Sequence, residues 1–244
     1  MCGRYTAKKN PVEIAEDYDA DNRVAEDAYE PDYNVAPTKT VPIVRARKRT
    51  EENAEVSSED LGRELVLMRW GLIPSWAKET KIGARMINAR IESVASTSAF
   101  RTAYRRRRCI VPVDGWYEWR PNPDGNGKQP FYMTAPDGHS LSLAGLWEIW
   151  HDGDQRLTTF TILTMPSQGQ LMQIHDRMPF ILGRDDITTW LDVRAGDPAA
   201  VLSRPDLPRA EQLELRPVGR EVGNVANNGA ALIERQEPTA TALF

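Results

Sequence analysis

Cysteine and histidine are scarce: two Cys and three His in 244 residues. Two cysteines make no disulfide framework. His139, His151 and His175 with two distant cysteines give a zinc site poor support, so neither metal nor cofactor is expected. No apolar run nears the ~18 residues of a membrane span. The N-terminus lacks a signal-peptide core, and no Asn-x-Ser/Thr sequon occurs, so the expected compartment is the cytoplasm. There is no Gly-x-Gly-x-x-Gly and no His-Glu-x-x-His. The stretch from Asp124 to Gln129 lacks the hydroxyl and preceding strand of a phosphate loop. These absences exclude common nucleotide, dinucleotide and zinc-hydrolase sites.

Lysine is scarce too, 7 against 24 Arg. A net charge of −4 with a pI near 5.6 argues at first against a nucleic-acid partner. The average hides its distribution. Residues 11–32 carry −8 and residues 51–64 carry −5, which leaves +9 on the rest. Arg forks onto phosphates and stacks on bases. The same composition also fits an acidic, Lys-poor surface suited to high salt, and the two readings are compatible.

Segments 2–6, 41–47, 64–70, 109–113, 115–120, 130–135, 140–149, 157–165, 178–182 and 213–217 read as strands. Helices are fewer and short. Residues 11–18 follow an Asn10-Pro11 start, 185–192 follow Gly183, and 197–203 start with Asp-Pro; 92–96 and 168–174 are weaker. Residues 49–64 read as a solvated acidic loop and 121–130 as a long hairpin turn. Contiguous strands predict an α+β fold, a single compact domain on mostly antiparallel sheet with short peripheral helices. Its expected span is 1–234, with 235–244 a frayed tail.

Four stretches carry chemistry. The chain opens Met1-Cys2-Gly3-Arg4. Initiator Met is normally trimmed before a small residue, which leaves Cys2 with a thiol beside a free α-amine. An α-amine has a pKa of about 8 against about 10.4 for Lys, so neutral solution offers roughly a hundred times more free amine. It can form an imine with an aldehyde, and the thiol can close a thiazolidine on it. The same residue could instead attack an amide, or be an incidental buried Cys. Asn88 follows an apolar run and could orient a reacting group, or simply begin a helix at 91. Glu118 lies between Trp116 and Trp119 after the basic run Arg105–Arg108. In an alternating strand Trp116, Glu118 and Arg120 share one face. Flanking aromatics desolvate such a carboxyl and raise its pKa toward general-acid duty; a salt bridge to an Arg is the plain alternative. Cys109 sits in an apolar strand and reads as core, and the Arg run reads as a solvated face. His175, followed by Asp176 and Arg177, is the acid/base available near neutral pH.

Taken in order, these stretches resemble the SOS response-associated peptidase (SRAP) family of abasic-site processing proteins. The match runs through Met-Cys-Gly-Arg, Tyr33-Asn34-Val-Ala-Pro37, Trp70-Gly-Leu-Ile-Pro-Ser-Trp76, Ile87-Asn88-Ala-Arg90-Ile-Glu92 and Arg-Cys109-Ile-Val-Pro-Val-Asp-Gly-Trp-Tyr-Glu118-Trp. It continues with Ile174-His175-Asp-Arg-Met-Pro and Val222-Gly-Asn224-Val. The resemblance implies a barrel-like core and a protein that senses abasic sites in single-stranded DNA. It would crosslink to them through a Cys2 thiazolidine after Met1 is removed, by self-cleavage or by an aminopeptidase. It further implies that Asn88 holds the adduct, Glu118 handles protons, and His175 opens the sugar ring and assists reversal. Expected DNA contacts are Arg4, Asn34, Trp76, Arg85, Arg90, Trp119, Thr164 and Arg177, in a monomer. Two other readings stay open at this point. One is an N-terminal-Cys hydrolase of glutamine amidotransferase type; the other is a non-covalent single-strand binder.

Overall fold

The computed structural model describes residues 2–47, 62–194 and 198–236. In chain order its strands and helices are β1 (Tyr5–Ala7), α1 (Pro11–Tyr18), β2 (Ala20–Asn22), β3 (Asp32–Val35), β4 (Thr40–Ala46), β5 (Arg63–Trp70), β6 (Asn88–Arg90) and α2 (Arg101–Arg106). There follow β7 (Arg108–Val113), β8 (Gly115–Pro121), β9 (Lys128–Thr134), β10 (Leu141–Asp152), β11 (Gln155–Pro166), β12 (Arg177–Pro179), α3 (Ile187–Leu191), α4 (Ala199–Leu202), α5 (Leu207–Glu211) and β13 (Glu214–Pro217).

The strands form two sheets, ordered β13-β9-β8-β1-β3 and β12-β11-β10-β7-β4-β5-β2. A parallel contact of Arg69 and Trp70 with Thr159 and Phe160 joins β5 back to β11, closing β11-β10-β7-β4-β5 into a ring. This is the expected α+β, sheet-dominated architecture with a barrel-like core. Fully buried Tyr5, Trp70 and Phe160 fill the interior, Tyr5 and Trp70 with ring centroids 4.9 Å apart. Each such side chain contributes about 1.5–3 kcal/mol by leaving water. The Tyr5 hydroxyl is buried with no hydrogen-bond partner among the described residues. A stranded hydroxyl costs about 1–3 kcal/mol, so Tyr5→Phe should unfold at higher urea than the parent. An unchanged or lower midpoint would contradict that cost.

All ten expected strands are present with boundaries shifted by a few residues. Helix α1 spans the expected residues because Asn10 Oδ1 accepts from Val12 and Glu13 N–H while Glu13 returns a bond to Asn10 N–H. The weak segment 168–174 is a 3₁₀ helix at Gly169–Gln173, and 185–192 and 197–203 shorten to α3 and α4. Three strands lie outside the expected set: β2, β3 and β6. Each is three or four residues long, too short for alternation to show. Asn88 stands in β6, and residues 91–96 are turns instead of a helix, because β6 pairs in parallel with the free edge of β11. The Arg run also divides. Arg105 and Arg106 are exposed, Arg107 pairs with Glu148, and Arg108 is buried and donates to Trp190 O and Asp192 O. In the acidic stretches Asp32 and Glu64 are buried partners of Lys39 and Arg45, not surface decoration. Residues 49–61 of the acidic loop, residue 197 of the expected helix and 237–244 of the tail lie outside the described residues.

Candidate active site

The site lies where the two sheets meet. Strand β1 runs between β8 and β3, with Tyr5 opposite both Trp116 and Val35. Tyr117 N–H donates to Arg4 O at 2.9 Å, continuing the pairing toward Cys2. From the other sheet, β6 brings Asn88, whose Nδ2 donates to Cys2 O at 2.8 Å. Gly71 makes that approach possible. It has φ 108°, and a Cβ there would lie 2.5 Å from Gly83 O. The turn it allows lets Gly71 N–H reach Phe160 O and Leu72 N–H reach Met86 O, two residues before Asn88.

Cys2 is fully buried. Burial pushes its thiol well above the usual range, and the neighbouring Glu118 charge adds to the rise. Glu118 is itself buried; desolvation raises its carboxyl, opposed in part by the charge of His175. Glu118 therefore stands between Cys2 and His175 electrostatically, and Asn88 is bonded to Cys2. The four candidate catalytic residues converge from β6, β8 and the segments flanking β1 and β12. His175 Nδ1 accepts from Arg177 N–H at 3.0 Å and also lies 2.7 Å from Asp176 Oδ1. Asn88 Oδ1 is buried and has no hydrogen-bond partner among the described residues.

The expected DNA contacts divide into two groups. Trp76, Arg85 and Arg90 are exposed, and Trp76 and Arg85 line one cavity with Lys78 and Lys81. Trp119 is half-buried, with the Arg4 guanidinium carbon 5.8 Å from its ring centre. Asn34, Thr164 and the Arg4 and Arg177 side chains face inward instead. Arg4 Nη1 donates to Asn34 Oδ1 and Val222 O. Asn34 is fully buried, and its Nδ2 lies within bonding distance of Val222 O, Asn224 O and Asn227 O. It pins the loop whose Val225 is exposed, so Asn34→Ala should lower stability by about 2–3 kcal/mol through stranded carbonyls. Urea unfolding checks this; a change below about 0.5 kcal/mol would contradict it. Arg177 donates to both Glu92 oxygens and to Thr164 O, and Thr164 is fully buried. Neither the Glu92 pairing nor the exposed Met172, three residues before His175, is legible in the residue pattern. Both stand inside segments already singled out by pattern.

Among the described residues no group of three or more His, Cys, Asp or Glu could hold a metal ion, and no helix is long and apolar enough to cross a membrane. Residues 1–225 match the family model described as "SOS response associated peptidase (SRAP)". The chain is 35% identical over 235 residues to the abasic site processing protein YoqW of Bacillus subtilis, covering 96% of this chain and 99% of the relative. It is 31% identical over 243 residues to the abasic site processing protein YedK of Escherichia coli, covering 96% and 99%. Chicken HMCES, of the same description, is 34% identical over 230 residues, covering 83% of this chain and 66% of that one. A crystal structure of a Bacteroides thetaiotaomicron protein shares the fold, with TM-score 0.77 and 23% identity over 97% of this chain and all of its own. A match that spans nearly the whole chain, with Cys2, Asn88, Glu118 and His175 gathered in one site, places this protein in the SRAP family.

Proposed function

We propose that this chain processes abasic sites in single-stranded DNA by linking Cys2 covalently to the lesion. The observation that carries this reading is the setting of Cys2, held by the Asn88 amide and beside the Glu118 carboxyl, which His175 in turn perturbs. Once Met1 is removed, the Cys2 amine adds to the aldehyde of the ring-opened sugar. The resulting carbinolamine loses water to give an imine. The thiol then adds across the C=N bond: a C–S bond forms, the thiol proton passes to nitrogen, and no redox partner is needed. Asn88 Nδ2 donates to the Cys2 carbonyl, and in this reading its Oδ1 accepts from the Cys2 amine. Glu118, held toward its protonated form by burial, supplies the proton that lets water leave. His175 protonates the sugar ring oxygen during opening and acts again in reversal. The activity is lyase-like, and self-cleavage of Met1 belongs to the same reading.

The DNA runs over the exposed Trp76, Arg85 and Arg90, with Trp119 beside the reacting sugar; Arg4, Asn34, Thr164 and Arg177 shape this floor from beneath. The protein works as a cytoplasmic monomer, with no cofactor, and joins the nucleoid when engaged on DNA. The crosslink would shield the lesion from strand cleavage during the DNA damage response. An N-terminal-Cys hydrolase needs a thiolate nucleophile. Burial that raises the Cys2 thiol disfavours thiolate and supports amine-first chemistry instead. The test is a denaturing gel of the mature protein with single-stranded abasic DNA. A heat-stable shifted band is expected, and its absence would remove the proposal.

A further inference from the structure

Glu92 is a carboxylate beside the exposed Arg90, on a face that also carries exposed acids at Glu79, in the cavity of Trp76 and Arg85, and at Asp176, beside His175. It stands two residues beyond Arg90 and four beyond Asn88. Its side chain is 46% exposed, while that of Arg177 is only 11% exposed. Phosphates would be repelled by this charge, so retaining it at the rim opposes DNA binding. What it does instead is visible in its bonds. Glu92 Oε1 and Oε2 accept from Arg177 Nη1 and Nη2 at 2.5 and 3.0 Å, a planar two-point fork. Nη2 also donates to Thr164 O at 2.6 Å, and that same carbonyl accepts from Ile91 N–H. Arg177 N–H in turn donates to His175 Nδ1. One short chain of bonds thus links the strand that carries Asn88, the end of β11 and the ring of His175.

We infer that Glu92 is a positioning residue for the covalent step: it clamps Arg177 and so fixes His175 and Asn88 relative to Cys2, at a cost in DNA affinity. This rests on the reading of Cys2 and His175 as reacting groups. The clamp fixes two dihedral-rich side chains before substrate arrives. Misplacing a proton donor by about 1 Å can cost up to a hundredfold in rate. A surface charge of this kind alters binding by only about two- to fivefold. The two effects therefore run in opposite directions in a variant that loses only the charge.

The experiment compares the parent, Glu92→Gln and Glu92→Asp. Binding is measured on single-stranded DNA carrying a tetrahydrofuran residue, a closed ring that cannot react. The crosslinking rate is measured at saturating DNA with a natural abasic site. Glu92→Gln should bind the analogue as tightly as the parent or about two- to fivefold tighter. It should crosslink about tenfold more slowly. Glu92→Asp, which keeps the charge, should recover part of the rate and none of the added affinity. An unchanged rate in Glu92→Gln would overturn the inference. So would a parallel loss of binding and rate, which marks a plain DNA contact or a fold defect. If the parent itself forms no adduct, the reading of Cys2 fails, a result distinct from either of these.

Discussion

Cys2→Ala is expected to abolish the heat-stable adduct with single-stranded abasic DNA while leaving binding to the unreactive tetrahydrofuran analogue within about twofold, since one small buried side chain adds little to a phosphate-driven affinity. Alanine, like cysteine, is small enough for Met1 to be trimmed before it. The variant therefore keeps an α-amine with a pKa of about 8 and can still form an imine. It cannot close the ring. Its imine stays hydrolysable and should be captured only when borohydride reduces it during the reaction. The parent adduct should need no borohydride. The contrast separates the two bonds that a single residue makes: amine to carbon, then sulfur to the same carbon. A stable adduct from Cys2→Ala without reductant would assign the linkage to another residue. In that case Cys2 would be only the fully buried core residue that it also is.

Glu118→Gln has the second largest expected effect, a fall of about 10²–10³ in the crosslinking rate at saturating DNA, the usual worth of a placed acid or base. The same substitution should raise stability near neutral pH. Burial raises the Glu118 carboxyl, so the fold disfavours its ionised form. A carboxyl with a folded pKa above its unfolded value costs stability above the folded pKa. That cost fades as pH falls and is gone below the unfolded value of about 4.3. Glutamine carries no such cost. Its Tm should exceed the parent's near pH 7, and the two should converge in acid. Equal Tm values at both pH values would mean that Glu118 is not strained by burial. An undiminished rate would remove it from the chemistry. A residue that lowers stability while raising rate is what a stability–activity trade-off at a reacting site looks like.

Much of the fold was legible because its long strands announce themselves by alternation and by Pro and Gly at their ends. Strands β10 and β11 could be read this way, and α1 could be read from Asn10, Pro11 and Glu13. What stayed hidden was made by tertiary pairing. Asn88 looked like the start of a helix because three residues of β6 carry no period of their own; the edge of β11 makes them a strand. The site residues were legible by type and order, not by partner. Cys2, Asn88, Glu118 and His175 do converge, but nothing in the sequence says that Asn88 bonds the Cys2 carbonyl. Asn34 and Arg177 matched a motif that suggested DNA contact, and in the folded chain their polar atoms are committed to Val222, Asn224, Asn227, Glu92 and Thr164. Arginine counts overstate the cations available to DNA for the same reason. Arg107 and Arg108 in the basic run serve Glu148 and the carbonyls of Trp190 and Asp192, while Arg105 and Arg106 remain exposed.

The central claim is a thiazolidine on the mature N-terminus, and intact mass spectrometry with peptide mapping of the purified adduct tests it most directly. Imine formation releases one water and ring closure releases none. The predicted mass is that of the chain lacking Met1 plus the abasic oligonucleotide minus one water, with the added mass on the peptide that begins at Cys2 and unchanged by borohydride. An adduct mapped to any other residue, or a purified protein that retains Met1 and still crosslinks, would contradict it.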